Sequence, residues 1–380
     1  RCIFMTPTAT KDQLHFPRHA LAESILQGFE NNLQTATTIF APRRKGKTTF
    51  VRNDLIPMAK DKGFLVATAD LWLDKDHPER VIARALQEAI HGTGFVRRNL
   101  LRFTRPGQVI SSVNAGAGTE GVTLGLDLAD DAGLLLPELF ERFSTLGKGK
   151  ALLIIDEVQH LATRKDFETF TATLRTLLQG AQGLVYAVFT GSSQHGLARM
   201  FRRSKAPFYQ YGSEVSFPDL GMEFAQHLAG MFLKATGRQW DAAEAFSLYV
   251  RRGMMPKHLR EIYNLSLTQN LSVAEADKIV WASMLDEGQF STLIEGLPPL
   301  DQALLVGILT GESLFSADYR NRLGDGLPSG TAPSSAQVQA ALKRLQRAEL
   351  IGNLEHGTWR IEDGALESFL RRTLLDDEQD

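Results

Sequence analysis

Short, almost wholly apolar runs alternate with helix-length amphipathic stretches through the first half of the chain. Such alternation predicts a parallel sheet whose strands are joined by crossover helices. Thr35–Phe40 (TATTIF) reads as a buried strand that runs into a Gly/Lys loop, and helical signals follow from Thr48 to about Lys60. Phe64–Ala69 predicts a second strand and Pro78–Ile90 an amphipathic helix. A helix over Leu134–Leu146 leads into Ala151–Ile155, the most apolar strand in the chain, and a helix over Asp166–Gln179 with a strand over Leu184–Thr190 completes the unit. Residues 106–130 break the pattern. There Gly107, Gly116, Gly118, Gly121 and Gly125 stand among Val, Ile, Thr and Leu, which predicts a β-hairpin inserted in the α/β core.

From about residue 218 the strand signals stop. Met222–Thr236, Asp241–Arg252, Lys257–Gln269 and Val273–Asp286 all have helical periodicity, which predicts a second, helical domain. The pattern changes again near Pro298-Pro299, where a helix over Asp301–Leu309 is followed by a polar stretch, Gly324–Ser335, rich in Gly, Pro and Ser. A helix from Ala336 to Leu350, capped by Ser334 or Ser335, then precedes two short strands, Ile351–Leu354 and Thr358–Ile361, about the turn Glu355-His356-Gly357. That order predicts a winged helix-turn-helix. The expected division is 1–217, an α/β core, 218–297, a helical lid, and 298–380, the winged helix.

Composition narrows the classes. A chain of 380 residues exceeds one compact core, and 43% hydrophobic with 23% charged residues describes an ordinary globular protein. The net charge of -2 supplies no global field for nucleic acid or membrane, so any such contact needs a local patch. The single cysteine, Cys2, excludes an internal disulfide framework and a cysteine-based zinc site, and suits a cytoplasmic location. No apolar run approaches a membrane span. The chain does not begin with methionine, and its opening Arg1–Met5 lacks the form of a signal peptide.

The chemistry concentrates in Ala41-Pro42-Arg43-Arg44-Lys45-Gly46-Lys47-Thr48-Thr49, between a predicted strand and a predicted helix. Backbone N–H groups in such a loop, with the helix N-terminus behind it, cradle phosphate oxygens. Lys47 can reach the β- and γ-phosphates, and the Thr48 hydroxyl can ligate Mg²⁺. Ala41 stands where the pattern has its first glycine, which is tolerable only if φ there is negative. Asp156-Glu157 ends the run ALLII, so two carboxylates fall at the C-terminal edge of a sheet, where α/β proteins bind ligands. Asp156 is the candidate Mg²⁺ ligand, and Glu157 the candidate group that polarises the attacking water. An acidic helix cap is the bland reading of the same pair. Thr163-Arg164-Lys165-Asp166 has the wrong order for a guanine-reading Asn-Lys-x-Asp, so ATP is expected rather than GTP.

Three segments together, residues 41–48, Ile-Asp-Glu-Val-Gln-His-Leu (155–161) and Phe-Thr-Gly-Ser-Ser (189–193), resemble the archaeal-type P-loop ATPases of the STAND/AAA+ group. These are similar in plan to origin-recognition and transposition-regulator ATPases. The resemblance covers most of the chain, because it implies a helical lid and a C-terminal winged helix. It implies that Thr190 or Ser192 is the polar sensor on the fourth strand, where a Ser/Thr turn is the alternative. Gly253-Met254-Met255-Pro256-Lys257 resembles the lid motif, which places Lys257 at the usual arginine sensor and Arg260 one turn on, with an ordinary solvent-facing basic helix as the alternative. Arg199, Arg202 and Arg203 follow the fourth strand, where a finger reaching a neighbour's ATP is often found; Arg203 is the first choice and Arg202 the second. An ATP-dependent homo-oligomer is therefore expected.

Two surfaces remain open between partners. Arg97, Arg98, Arg102 and Arg105 interleave with Phe95 and Phe103, a pattern that suits nucleic acid, an acidic protein or simply solvent. Lys343, Arg344 and Arg347 give the expected recognition helix a thin basic footprint for double-stranded DNA, with Glu349 and Glu355 nearby. The lead expectation is an ATP-hydrolysing switch that regulates an assembly on nucleic acid, as initiators, transposition regulators or mobile-element defence proteins do. The alternative is a STAND-like signalling ATPase whose winged helix binds protein.

Overall fold

In the computed structural model the described residues are 12–92, 132–192, 196, 198–202, 204, 206–287, 290–328, 330–348, 350–355 and 358–375. The hairpin expected at 106–130, the Arg97–Arg105 segment and Arg203 lie outside them.

The first half is a five-stranded sheet flanked by helices. The strands β1 (Ala36–Phe40), β2 (Leu65–Asp70), β3 (Ala151–Asp156), β4 (Val185–Gly191) and β5 (Ser213–Val215) stand in the order β2-β3-β4-β1-β5, and every neighbouring pair is parallel. Alternation of side chains explains the unbroken apolar runs. In β3, Ala151, Leu153 and Ile155 join the core on one face, while Leu152 and Ile154 join the core on the other. Helices α1 (His19–Glu30), α2 (Lys47–Phe50), α3 (Ile56–Asp61), α4 (Pro78–Gly92), α5 (Ala132–Gly147) and α6 (Phe167–Gly180) complete the layers.

Helices α2 and α3 form one run, interrupted by a π-helical turn over Val51–Leu55. Phe50, Val51, Asp54, Leu55 and Ala59 are its buried residues beyond Lys47, the spacing of a face laid on the sheet. Asp54 is buried in that face and accepts hydrogen bonds from His15 Nε2 at 2.8 Å and Arg18 N at 3.2 Å. The segment before α1 is thereby tied to the helix behind the phosphate loop.

Beyond Leu220 the chain is helical: α7 (Met222–Thr236), α8 (Ala242–Arg251), α9 (Pro256–Gln269), α10 (Val273–Glu287) and α11 (Phe290–Glu295). Then come α12 (Pro299–Leu309), α13 (Ala317–Gly326), α14 (Ser335–Arg347), the antiparallel hairpin β6 (Ile351–Glu355) and β7 (Thr358–Ile361), and α15 (Gly364–Leu375). Helix α14 opens with a capping box, in which Ser334 N donates to Gln337 Oε1 and Gln337 N to Ser334 Oγ. Buried side chains on both sides of Pro298 belong to one hydrophobic cluster, from Leu220 and Phe224 through Trp281 and Leu304 to Leu345 and Leu370. The sheet keeps two separate clusters of its own.

Candidate nucleotide site

Strand β1 delivers the chain to Ala41, whose N–H donates to the Gly191 carbonyl of β4 at 3.4 Å. Ala41 is buried and is not among the residues with positive φ, so the methyl that replaces the pattern's first glycine meets no backbone conflict. The loop turns at Arg44 (φ 66°) and Gly46 (φ 90°). No side chain caps the helix that starts at Lys47, which leaves its first amides to an external acceptor.

Lys47 is 6% exposed and donates to the carbonyls of Ala41 at 2.5 Å and Pro42 at 2.9 Å. Burial pushes its ammonium down to about 8, against the pull of Glu157 and Asp156. Such a partly desolvated cation, bonded to loop carbonyls, gains most from a phosphate.

The register of the sheet brings the acidic pair alongside. Asp156 ends β3, two strands from β1, and β4 fills the gap with Thr190 and Gly191. Asp156 is buried and accepts from Thr48 Oγ1 at 3.1 Å, from Thr190 Oγ1 and from Glu157 N. Thr48 and Asp156 thus present two hard oxygens side by side, which fits Mg²⁺: that ion takes one or two protein oxygens and completes its shell with water and phosphate. Among the described residues no cluster of three or more His, Cys, Asp or Glu could form an all-protein metal cage. Glu157 is left-handed (φ 56°), and its carboxylate accepts from Ser192 Oγ at 3.0 Å and from Gln159 Nε2. Of the two hydroxyls expected as the sensor, Thr190 bonds Asp156 and Ser192 bonds Glu157. Gln159, two residues beyond Glu157, escaped the sequence reading although it lies within the quoted motif.

The second half of the chain closes on this loop. Lys45 Nζ sits 2.7 Å from Asp219 and donates to the carbonyls of Gly253 at 2.9 Å and Met254 at 3.4 Å. Met254 is also left-handed (φ 52°), so non-glycine strain at Arg44, Glu157 and Met254 gathers about the loop. Arg44 faces Asp363 at 3.9 Å, and Arg43 lies over the Trp72 ring at 5.3 Å. Other expected residues are engaged elsewhere. Lys257 pairs with Glu261 along its own helix, and Arg260 reaches Asp12 at 2.8 Å. Arg202 holds Glu214 through contacts of 2.8 and 2.9 Å. On α14, Lys343 and Arg347 are exposed, but Arg344 clamps Asp301 of α12, whose side chain is 1% exposed. The expected footprint of three basic residues is reduced accordingly.

The parallel order β2-β3-β4-β1-β5, with a phosphate-type loop after β1 and an acidic pair after β3, is an α/β P-loop fold. Solved structures bear this out. The Walker-type ATPase PABY2304 of Pyrococcus abyssi is 17% identical and superposes with a TM-score of 0.65 over 95% of this chain and 97% of its own. The ORC2 protein of Aeropyrum pernix, solved as ADPNP–ADP complexes, is 15% identical, with a TM-score of 0.56 over 97% of each chain. No protein-family model matches the chain, and no curated protein matches it. No helix among the described residues is long and apolar enough to cross a membrane.

Proposed function

We propose that the protein binds ATP with Mg²⁺ on Ala41–Thr49 and hydrolyses it to ADP and phosphate, as a molecular switch. The arrangement Thr48–Asp156–Thr190 beside Glu157–Ser192–Gln159 carries this reading. Mg²⁺ on Thr48 and Asp156 would supply positive charge against the terminal phosphates. Lys47 leaves the Ala41 and Pro42 carbonyls for phosphate oxygens, and Glu157, oriented by Ser192, accepts the proton of the attacking water. Catalysis is then positioning and electrostatics. The A. pernix protein, solved with ADPNP and ADP, supports a nucleotide at this loop. The test is a phosphate-release assay on wild type, Lys47→Ala and Glu157→Gln; equal turnover in all three would sink the proposal.

The same reading divides the chain into a core to about 217, a lid over 218–297 and a winged helix over 298–380. It places Arg203 or Arg202 on a neighbour's nucleotide in an ATP-dependent homo-oligomer, which for Arg202 requires release of Glu214. Lys257 and Arg260 serve as lid sensors only if they leave Glu261 and Asp12. The single cysteine suits a cytoplasmic site of action. The switch would regulate an assembly on nucleic acid, with Lys343 and Arg347 on phosphates. Two observations favour the rival, a signalling ATPase whose C-terminal unit binds protein: Arg344 is held by Asp301, and the hairpin end lies against the phosphate loop. Duplex-DNA binding at low salt, with and without ATP, separates the two. Affinity that falls steeply with salt supports the first, and none supports the second.

A further inference from the structure

Beside the first half of the phosphate loop lies a cavity of about 460 Å³, lined by Phe40, Ala41, Pro42, Glu214–Phe217 and Arg360. Arg360 is the contribution of the C-terminal hairpin, more than three hundred residues after the loop it borders. Its Nε and Nη2 are buried and have no hydrogen-bond partner among the described residues. Guanidinium donors withdrawn from water without an acceptor are costly, and a planar fork of this kind matches a phosphate better than any other common anion but carboxylate. Lys47 brings its ammonium to the same two residues, Ala41 and Pro42, through their carbonyls. In a loop of this type that lysine marks the β/γ end of the triphosphate.

Resting on the nucleotide reading above, we propose that Arg360 is a ligand of the terminal phosphates, so that the C-terminal hairpin reads the nucleotide within its own chain. The lid cations Lys257 and Arg260 are occupied by Glu261 and Asp12, whereas Arg360 already borders the loop. The neighbouring hairpin carboxylates make the contact conditional. Asp363 faces Arg44, and the charge of buried Glu362 acts on Lys47. An incoming phosphate competes with these carboxylates for the loop's cations while it supplies the acceptor that Arg360 lacks. Triphosphate and diphosphate then differ in how firmly the hairpin is held.

The experiment titrates the full chain with fluorescent N-methylanthraniloyl ATP and ADP, in wild type, Arg360→Ala, Arg360→Lys and Lys47→Ala. Arg360→Ala is expected to weaken ATP by about tenfold, the worth of one charge-assisted contact. ADP should weaken less, and Arg360→Lys should recover part of the loss. An ATP-to-ADP affinity ratio identical to wild type in Arg360→Ala overturns the proposal, whether both affinities hold or fall together. If Arg360→Ala lowers the melting temperature, Arg360→Met keeps the packed stem and carries the same comparison. Failure of the nucleotide site itself has another signature, in which wild type binds neither nucleotide or Lys47→Ala binds like wild type.

Discussion

The sheet edge and helix α14 both collect charged residues, but the fold arranges them differently. At the edge, Lys47, Thr48, Asp156, Glu157, Thr190 and Ser192 come from separate segments, and each carboxylate is held by a hydroxyl from another segment. On α14 the cations come from one helix. Lys343 and Arg347, four apart, share a face, while Arg344 turns to Asp301 and is consumed by packing. Charge in a sequence becomes chemistry when the fold makes polar groups converge, and becomes stability when it pairs them inside.

The largest test of this contrast is Lys47→Ala, which should abolish tight ATP binding, while Lys343→Ala leaves it unchanged in the same calorimetric titration. A loss common to both would erase the distinction. Next, Glu157→Gln should bind ATP as wild type does and lose turnover by about two orders of magnitude or more. Gln159→Ala, which removes a donor to the Glu157 carboxylate, should fall between, at about a tenfold loss in kcat; a change in KM alone would deny Gln159 its orienting role.

The third test uses pH. Burial lowers Lys47 to about 8, so the free protein loses this ammonium as pH rises through 8, and ATP binding must then take up a proton. ATP affinity should be flat below that pH and fall by up to about tenfold per unit above it. A lysine at its ordinary value would delay the fall beyond pH 10. The smallest effect belongs to α14. Arg344→Ala leaves buried Asp301 unpaired and should cost about 1–2 kcal/mol of stability, discounted because the arginine is half exposed. Lys343→Glu with Arg347→Glu should leave urea unfolding unchanged.

What the sequence disclosed follows the same line. Strands β1, β3 and β4 were legible because a parallel strand buried at every position is rich in apolar residues, β2 from its apolar run although it is an edge strand with Thr68 exposed, and the loop and acidic pair because their spacing is local. Strand β5 was not, being three residues with Glu214 exposed in the middle. Helix α13 (ADYRNRLGDG) was hidden by its polar composition; it is held by a Ser316 cap and by Tyr319, whose hydroxyl lies where a side chain on Gly307 would have to go. Helices α1, α11 and α15 were passed over as well. The ties of Arg344 to Asp301 and Arg260 to Asp12, and the place of Arg360 beside Pro42, are products of tertiary packing and leave no periodic trace.

The hydrophobic cluster that runs from Leu220 to Leu370 ignores the proline pair at 298–299, and this sets how the molecule should come apart. Side chains that share one core lose their protection together, because opening either half strips the other of its apolar cover. Amide exchange over α7 to α10 and over α12 to α15 should therefore report one common opening free energy, separate from that of the sheet. A chain cut after residue 297 would leave Phe290, packed on Phe369, partly bared, and would be expected to precipitate or to melt well below the intact protein.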